Sequence, residues 1–127
     1  MTISIKRIYT PIDKTDGFRV LVDRLWPRGI SKDNARLDMW AKELAPSTEL
    51  RTWFHANTNE FAQFRERYRA ELLSSEEARE TMHQLERMAA AGPVTLLYSS
   101  RFEPENNASV LAELIQEKTF EPPCDDV

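Results

Sequence analysis

The chain has 127 residues, 41% of them hydrophobic and 30% charged, enough for one domain around a single core and too few for two. Its formal net charge of −4 weighs against indiscriminate nucleic-acid binding, yet residues 1–36 hold eight Lys and Arg against four Asp and Glu, a net of +4 that leaves −8 for the remainder, so a local field for an anion is available. No run reaches the roughly 18 apolar residues of a membrane span, no long apolar leader opens the chain, and a lone Cys124 with two histidines leaves no disulfide or multi-cysteine zinc site; a cytosolic protein without metal or cofactor is expected.

In chain order, Ile3-Ser4-Ile5-Lys6-Arg7-Ile8-Tyr9 alternates and is β-branched, which predicts a first strand, and Pro11 with Asp16-Gly17 marks a loop. Phe18 to Asp23 reads as a second strand. Leu37, Trp40, Ala41 and Leu44 fall at i, i+3, i+4 and i+7 and predict a helix closed by Pro46-Ser47, which in turn caps a helix carrying Leu50, Trp53 and Phe54. Asn57, three before Glu60, opens a helix with the stripe Phe61, Phe64, Tyr68 and Leu72. Ser74, three before Glu77, has the capping-box spacing for a helix carrying Ala78, Met82, Leu85 and Ala89 and stopping at Gly92. Val94-Thr95-Leu96-Leu97-Tyr98 is a third strand, apolar enough to be covered on both faces. A last helix follows Asn107 with Val110, Leu111, Leu114 and Ile115 on one side. The acidic, Pro-Pro-containing tail 120–127 is expected to be disordered.

This order predicts an α/β fold: a single three-layer domain over 1–119, with a small, mainly parallel sheet and a helical insertion between strands two and three. The link between strands one and two is short for a parallel crossover, so length alone favours a hairpin or a non-adjacent pair.

The densest chemistry lies where the second strand ends, at Asp23-Arg24-Leu25-Trp26-Pro27-Arg28-Gly29. Parallel sheets bind ligands at strand C-termini. Pro27 fixes its own φ and biases Trp26 towards extended geometry, so Arg24 and Arg28 are held stiffly enough to grip a phosphate or carboxylate. The short helix begun by Ser31 would add backbone donors. Asp23 is the candidate general base, or only an orienter of Arg24. Tyr9 and Tyr98 end their strands and could bring phenols to the same rim, although a buried, satisfied Tyr is the commoner case. Arg65 could reach back over the sheet end, or sit in a salt-bridged helix surface. Arg101 and Asn106 follow strand three as further ligand contacts, while Asn107 is favoured as the helix cap. Trp40, Trp53, Phe54, Phe61 and Phe64 are assigned to the core by their spacing. An internally paired Arg24 beside a plugging Trp26 is the competing, purely structural account.

The strings Lys6-Arg7-Ile8-Tyr9, Asp16 through Gly29, Lys42-Glu43-Leu44-Ala45-Pro46-Ser47, Phe64-Arg65-Glu66-Arg67-Tyr68 and Thr95-Leu96-Leu97-Tyr98 together resemble the YeaO-like proteins, a branch of the domain-of-unknown-function family 488, from about Ile5 to Leu114. The resemblance implies a parallel α/β domain, with strand one parallel to strand two, and implies no activity. Members of the wider family often carry cysteines and a histidine in the segment matching Tyr98 to Asn107, where this chain has Tyr98, Asn106 and Asn107, so thiol chemistry does not carry over.

The resulting expectation is a pocket for a small anionic ligand at the strand ends, serving a metal-independent enzyme on a phosphorylated or nucleotide-like small molecule. The alternative is a non-catalytic binding module for nucleic acid or a protein partner. Nucleic acid is not favoured, no membrane partner is expected, and oligomeric state is left open. The few glycines and the missing Gly-x-Ser-x-Gly elbow disfavour common kinase, dinucleotide and hydrolase readings.

Overall fold

The computed structural model describes residues 3–100 and 106–117; Arg101 and the tail 120–127 lie outside the described residues. Strands β1 (Ile3–Arg7), β2 (Phe18–Leu21), β3 (Met39–Trp40) and β4 (Val94–Tyr98) form one sheet in the order β1-β4-β2-β3, every pair parallel. All five residues of β4 are buried, as its continuous apolar run requires of a central strand. β1 and β2 are parallel but not adjacent, because β4 lies between them. The short link therefore has no neighbouring-strand crossover to make. It carries a 3-10 turn, Lys14–Asp16, capped by Asp13, and its return is fixed where Thr95 Oγ1 donates to the Asp16 carbonyl at 2.7 Å.

Side-chain alternation splits the sheet into two faces. Val20, Val22, Leu96 and Tyr98 enter the main core, under α2 (Thr48–Ala56), α3 (Phe61–Ser74), α4 (Glu76–Ala91) and α5 (Asn107–Glu117), where they meet Leu50, Phe64, Tyr68, Leu85 and Leu111. Leu21 and Leu97 point the other way and pack with Ile8, Ala35, Trp26, Ile30, Leu37 and Trp40. That third layer is thin, made of loops and the single turn α1 (Lys32–Ala35). None of the described helices is long and apolar enough to cross a membrane.

The helix expected over Leu37 to Leu44 is not formed. Met39–Trp40 is the edge strand β3, and Lys42–Leu44 is a 3-10 turn. The apolar spacing there serves two cores: Leu37 and Trp40 go to the thin layer, Ala41 and Leu44 to the main core. Two caps also move. Ser75, not Ser74, caps α4 by accepting from Ala78 N at 3.1 Å, and α3 starts after Glu60 and not at Asn57. Ser47 caps α2 and Ser31 caps α1 as expected, each accepting an N3 backbone N–H.

Candidate functional site

Because the strands are parallel, their C-terminal ends collect at one edge: β1 delivers Arg7, β2 runs on into Asp23, and β4 into Ser99-Ser100. A cavity of about 780 Å³ opens there. Its floor is organised by the Asp23 carboxylate. Oδ2 accepts from Ser99 N and from Ser99 Oγ, both at 2.8 Å, while Oδ1 accepts from Asn107 Nδ2 at 3.1 Å. Asn107 Nδ2 also donates to the Val22 carbonyl at 3.0 Å. One side chain thus ties together the ends of β2 and β4 and the start of α5. The Asp23 carbonyl is occupied too, accepting from Trp40 Nε1 at 2.8 Å.

Among the described residues the cavity is also lined by four arginines, Arg7, Arg24, Arg28 and Arg51, and by His55. Arg7 donates to the carbonyls of Ser100 (2.9 Å) and Ser99 (3.2 Å) and lies over the Tyr9 ring at 4.9 Å. Arg24, Arg28 and Arg51 are exposed. Among the described residues none of the four forms an ion pair with a carboxylate. Four cations elsewhere meet carboxylates among the described residues: Lys6 and Arg19 meet Asp16, and Arg65 and Arg69 meet Glu113 and Glu117. The Trp26-Pro27-Arg28 loop is stiffened as its proline suggests, with Trp26 Nε1 donating to the Ile30 carbonyl (2.6 Å), Trp26 set edge-on to Trp40, and Tyr9 OH donating to the Arg28 carbonyl (2.9 Å).

Arg24 Nε donates to the Pro46 carbonyl at 3.4 Å, and Ala45, Pro46, Phe54 and Phe64 supply an apolar part of the lining. Its position is set from beneath. Glu71 of α3 accepts from Ser47 N (2.9 Å) and Ser47 Oγ (2.6 Å), and Tyr68 OH donates to the Leu44 carbonyl. Full burial, helped by the negative charges of Asp23 and Glu71, pushes the Tyr68 phenol well above its usual range, so it stays a donor. Among the described residues no three His, Cys, Asp or Glu side chains gather closely enough to hold a metal ion.

Of the residues singled out from sequence, Tyr9, Asp23, Arg24, Trp26, Arg28 and Asn106 line the cavity. Tyr98 does not; its side chain is buried in the main core. Arg65 does not either, because it projects from α3 to Glu113, at 2.8 Å. Arg101 lies outside the described residues. The cap falls on the other asparagine: Asn106 Oδ1 accepts from Ser109 N at 2.9 Å and caps α5 while lining the cavity, and Asn107 reaches into the floor. The start of α1 is not among the lining residues, so the helix N-terminus at the cavity belongs to α5. Sequence reasoning missed Arg7, Arg51, Phe54, His55 and Ser99 as members of the site. Arg7 ends β1 and was open to the same strand-end rule as Asp23; Arg51 and Phe54 reach the cavity only through the packing of α2.

Compared with known proteins, residues 2–125 match the family model DUF488-N3i, described as the inactive DUF488-N3 subclade. The uncharacterized protein YeaO of Escherichia coli K12 is 47% identical over 116 residues, covering 91% of this chain and 98% of its own length. The uncharacterized protein Rv3073c of Mycobacterium tuberculosis H37Rv is 41% identical over 113 residues, covering 89% of this chain and 92% of its own. No solved structure matches the chain.

Proposed function

We propose, from the premise that this chain belongs to the DUF488-N3i family, that its strand-end cavity binds a small organic anion through a phosphate or carboxylate and works by binding, not turnover. One observation carries the reading: Arg24, Arg28 and Arg51 converge on one cavity, and none of them has a carboxylate partner among the described residues. Planar guanidiniums suit a bidentate anion. Asp23, the one lining carboxylate among the described residues, spends both oxygens on Ser99 and Asn107, which suits a strut better than a base waiting for a proton. The family's description as an inactive subclade agrees with this.

A thermal-shift screen of the full chain against sugar phosphates, nucleotides and carboxylates tests the reading, since a ligand selective for the folded state adds about 2.7 kcal/mol at a hundredfold excess over Kd. Arg28→Ala is expected to abolish the shift while leaving the unliganded stability within about 0.5 kcal/mol, because the Tyr9 bond is to the Arg28 carbonyl and survives the change. A large loss of stability in that variant would instead favour the structural account. Raising salt from about 50 to about 200 mM should weaken a small anion modestly; a loss of roughly a thousandfold on an oligonucleotide would assign the arginines to a nucleic-acid backbone. Product formation by the screened hit would overturn the binding-only reading.

A further inference from the structure

Resting on the anion-binding reading, we infer that the ligand carries a flat aromatic group beside its charge, as a nucleoside monophosphate does, and that Phe54 is the platform for that group. Inorganic phosphate would leave most of a cavity of about 780 Å³ unfilled, and sites of about 300–1,000 Å³ ordinarily enclose a whole organic ligand. The apolar part of the lining has the right chemistry for the remainder. Phe54 is half-buried and lines the cavity. Its ring is already fixed: it stacks on Phe64 with centroids 4.4 Å apart and planes 24° apart, and Phe61 lies 6.0 Å away. A platform held by its neighbours loses little freedom when a base lands on it.

Phe54 also has a charged partner on its own helix. Arg51, Phe54 and His55 stand at i, i+3 and i+4 on α2 and all three line the cavity. That spacing brings side chains to about 5–6 Å between Cβ atoms. A guanidinium and a ring set so close together match a ligand whose phosphate and base are joined by one sugar, whereas a bare sugar phosphate would use only the first. The core position expected for Phe54 from its spacing is also real, since the ring packs against the core; the cavity takes the ring area that the core leaves.

The test is calorimetric titration of the full chain with AMP, UMP, ribose 5-phosphate and adenosine at one ionic strength. At least one nucleotide should bind about tenfold or more tighter than ribose 5-phosphate, the scale of one base–aromatic contact. Phe54→Leu should erase that advantage and leave ribose 5-phosphate unchanged, and Phe54→Tyr, which keeps a ring, should retain it. Equal affinity for the nucleotides and ribose 5-phosphate, or an advantage that survives Phe54→Leu, overturns the inference while the anion site stands. Binding of adenosine as tight as that of AMP sinks the anion reading instead, and if no phosphate binds, the inference falls while the anion reading stands or falls on the carboxylates of the thermal-shift screen.

Discussion

Asp23 sits where β2 leaves the sheet, and its carboxylate replaces the ladder that the strand can no longer supply, taking up Ser99 N–H, Ser99 O–H and the Asn107 amide. Asp23→Asn keeps the shape but offers an oxygen on one side only, so an amide N–H₂ must face either the Ser99 donors or the Asn107 donor. Asn107 cannot turn over to help, because its amide also donates to the Val22 carbonyl. The variant should lose about 1–3 kcal/mol, the cost of leaving a buried donor unmatched, seen as a lower urea midpoint, and should bind the anion more weakly because the floor loosens. Unchanged stability with lost function would instead give Asp23 a chemical part. The sequence marks Asp23 because charge follows a buried strand, but it does not separate Asn106 from Asn107. Adjacent and identical in type, they differ only in the phase of α5, and a helix start shifted by one residue exchanges the cap and the floor contact.

Elements announced by their own periodicity were legible, and elements created by pairing were not. β4 and α2 to α5 bury a single face or a whole strand, so their apolar residues repeat at one period. β3 spans two residues and exists because Asp38 N donates to the Arg19 carbonyl and Ala41 N to the Leu21 carbonyl, contacts contributed by another strand. The link between β1 and β2 shows the same dependence at a glycine. Gly17 has φ +66°, and a Cβ there would lie 2.2 Å from the Pro93 carbonyl oxygen at the start of β4. Gly29, in the arginine loop, has φ +78°, and a Cβ there would meet nothing within 4 Å, so only its backbone angle resists a side chain. Gly29→Ala should therefore cost about 1–2 kcal/mol, the left-handed penalty alone, whereas Gly17→Ala should cost clearly more, since the link must also retreat from β4. Denaturation midpoints of the two variants, side by side, check the difference; equal losses would mean that the link moves freely.

At the scale of the molecule, fold and site rest on different charges. The thin layer holds a buried cluster in which Asp16 accepts from Lys6 Nζ at 2.9 Å and from Arg19 Nη1 at 2.5 Å, and the Arg19 backbone donates to Asp38 at 2.8 Å. Burial works to raise the Asp16 carboxyl, but hydrogen bonds from Lys6, the Asp13 backbone and Arg19 outweigh it and hold the group below its ordinary 3.8. A carboxylate whose folded value lies under its unfolded value stabilises the protein fully above the unfolded value, and that contribution is lost as pH falls through it towards the folded one. Glu113 is lowered in the same sense, first by the hydrogen bond from Arg65, yet its side chain is 43% exposed and its pair is screened by solvent. The urea midpoint should thus fall as pH drops from about 5 through the ordinary carboxylate range. Asp16→Asn should lose most of that dependence and cost about 3–5 kcal/mol at neutral pH, because Arg19 is left buried without its counter-charge. Added salt should scarcely touch this buried cluster, while weakening the anion site, whose arginines are exposed. If the pH dependence of stability were instead unchanged in Asp16→Asn, the acid-sensitive group would have to be sought among the exposed carboxylates, and the cluster under the sheet would be packing without electrostatic consequence.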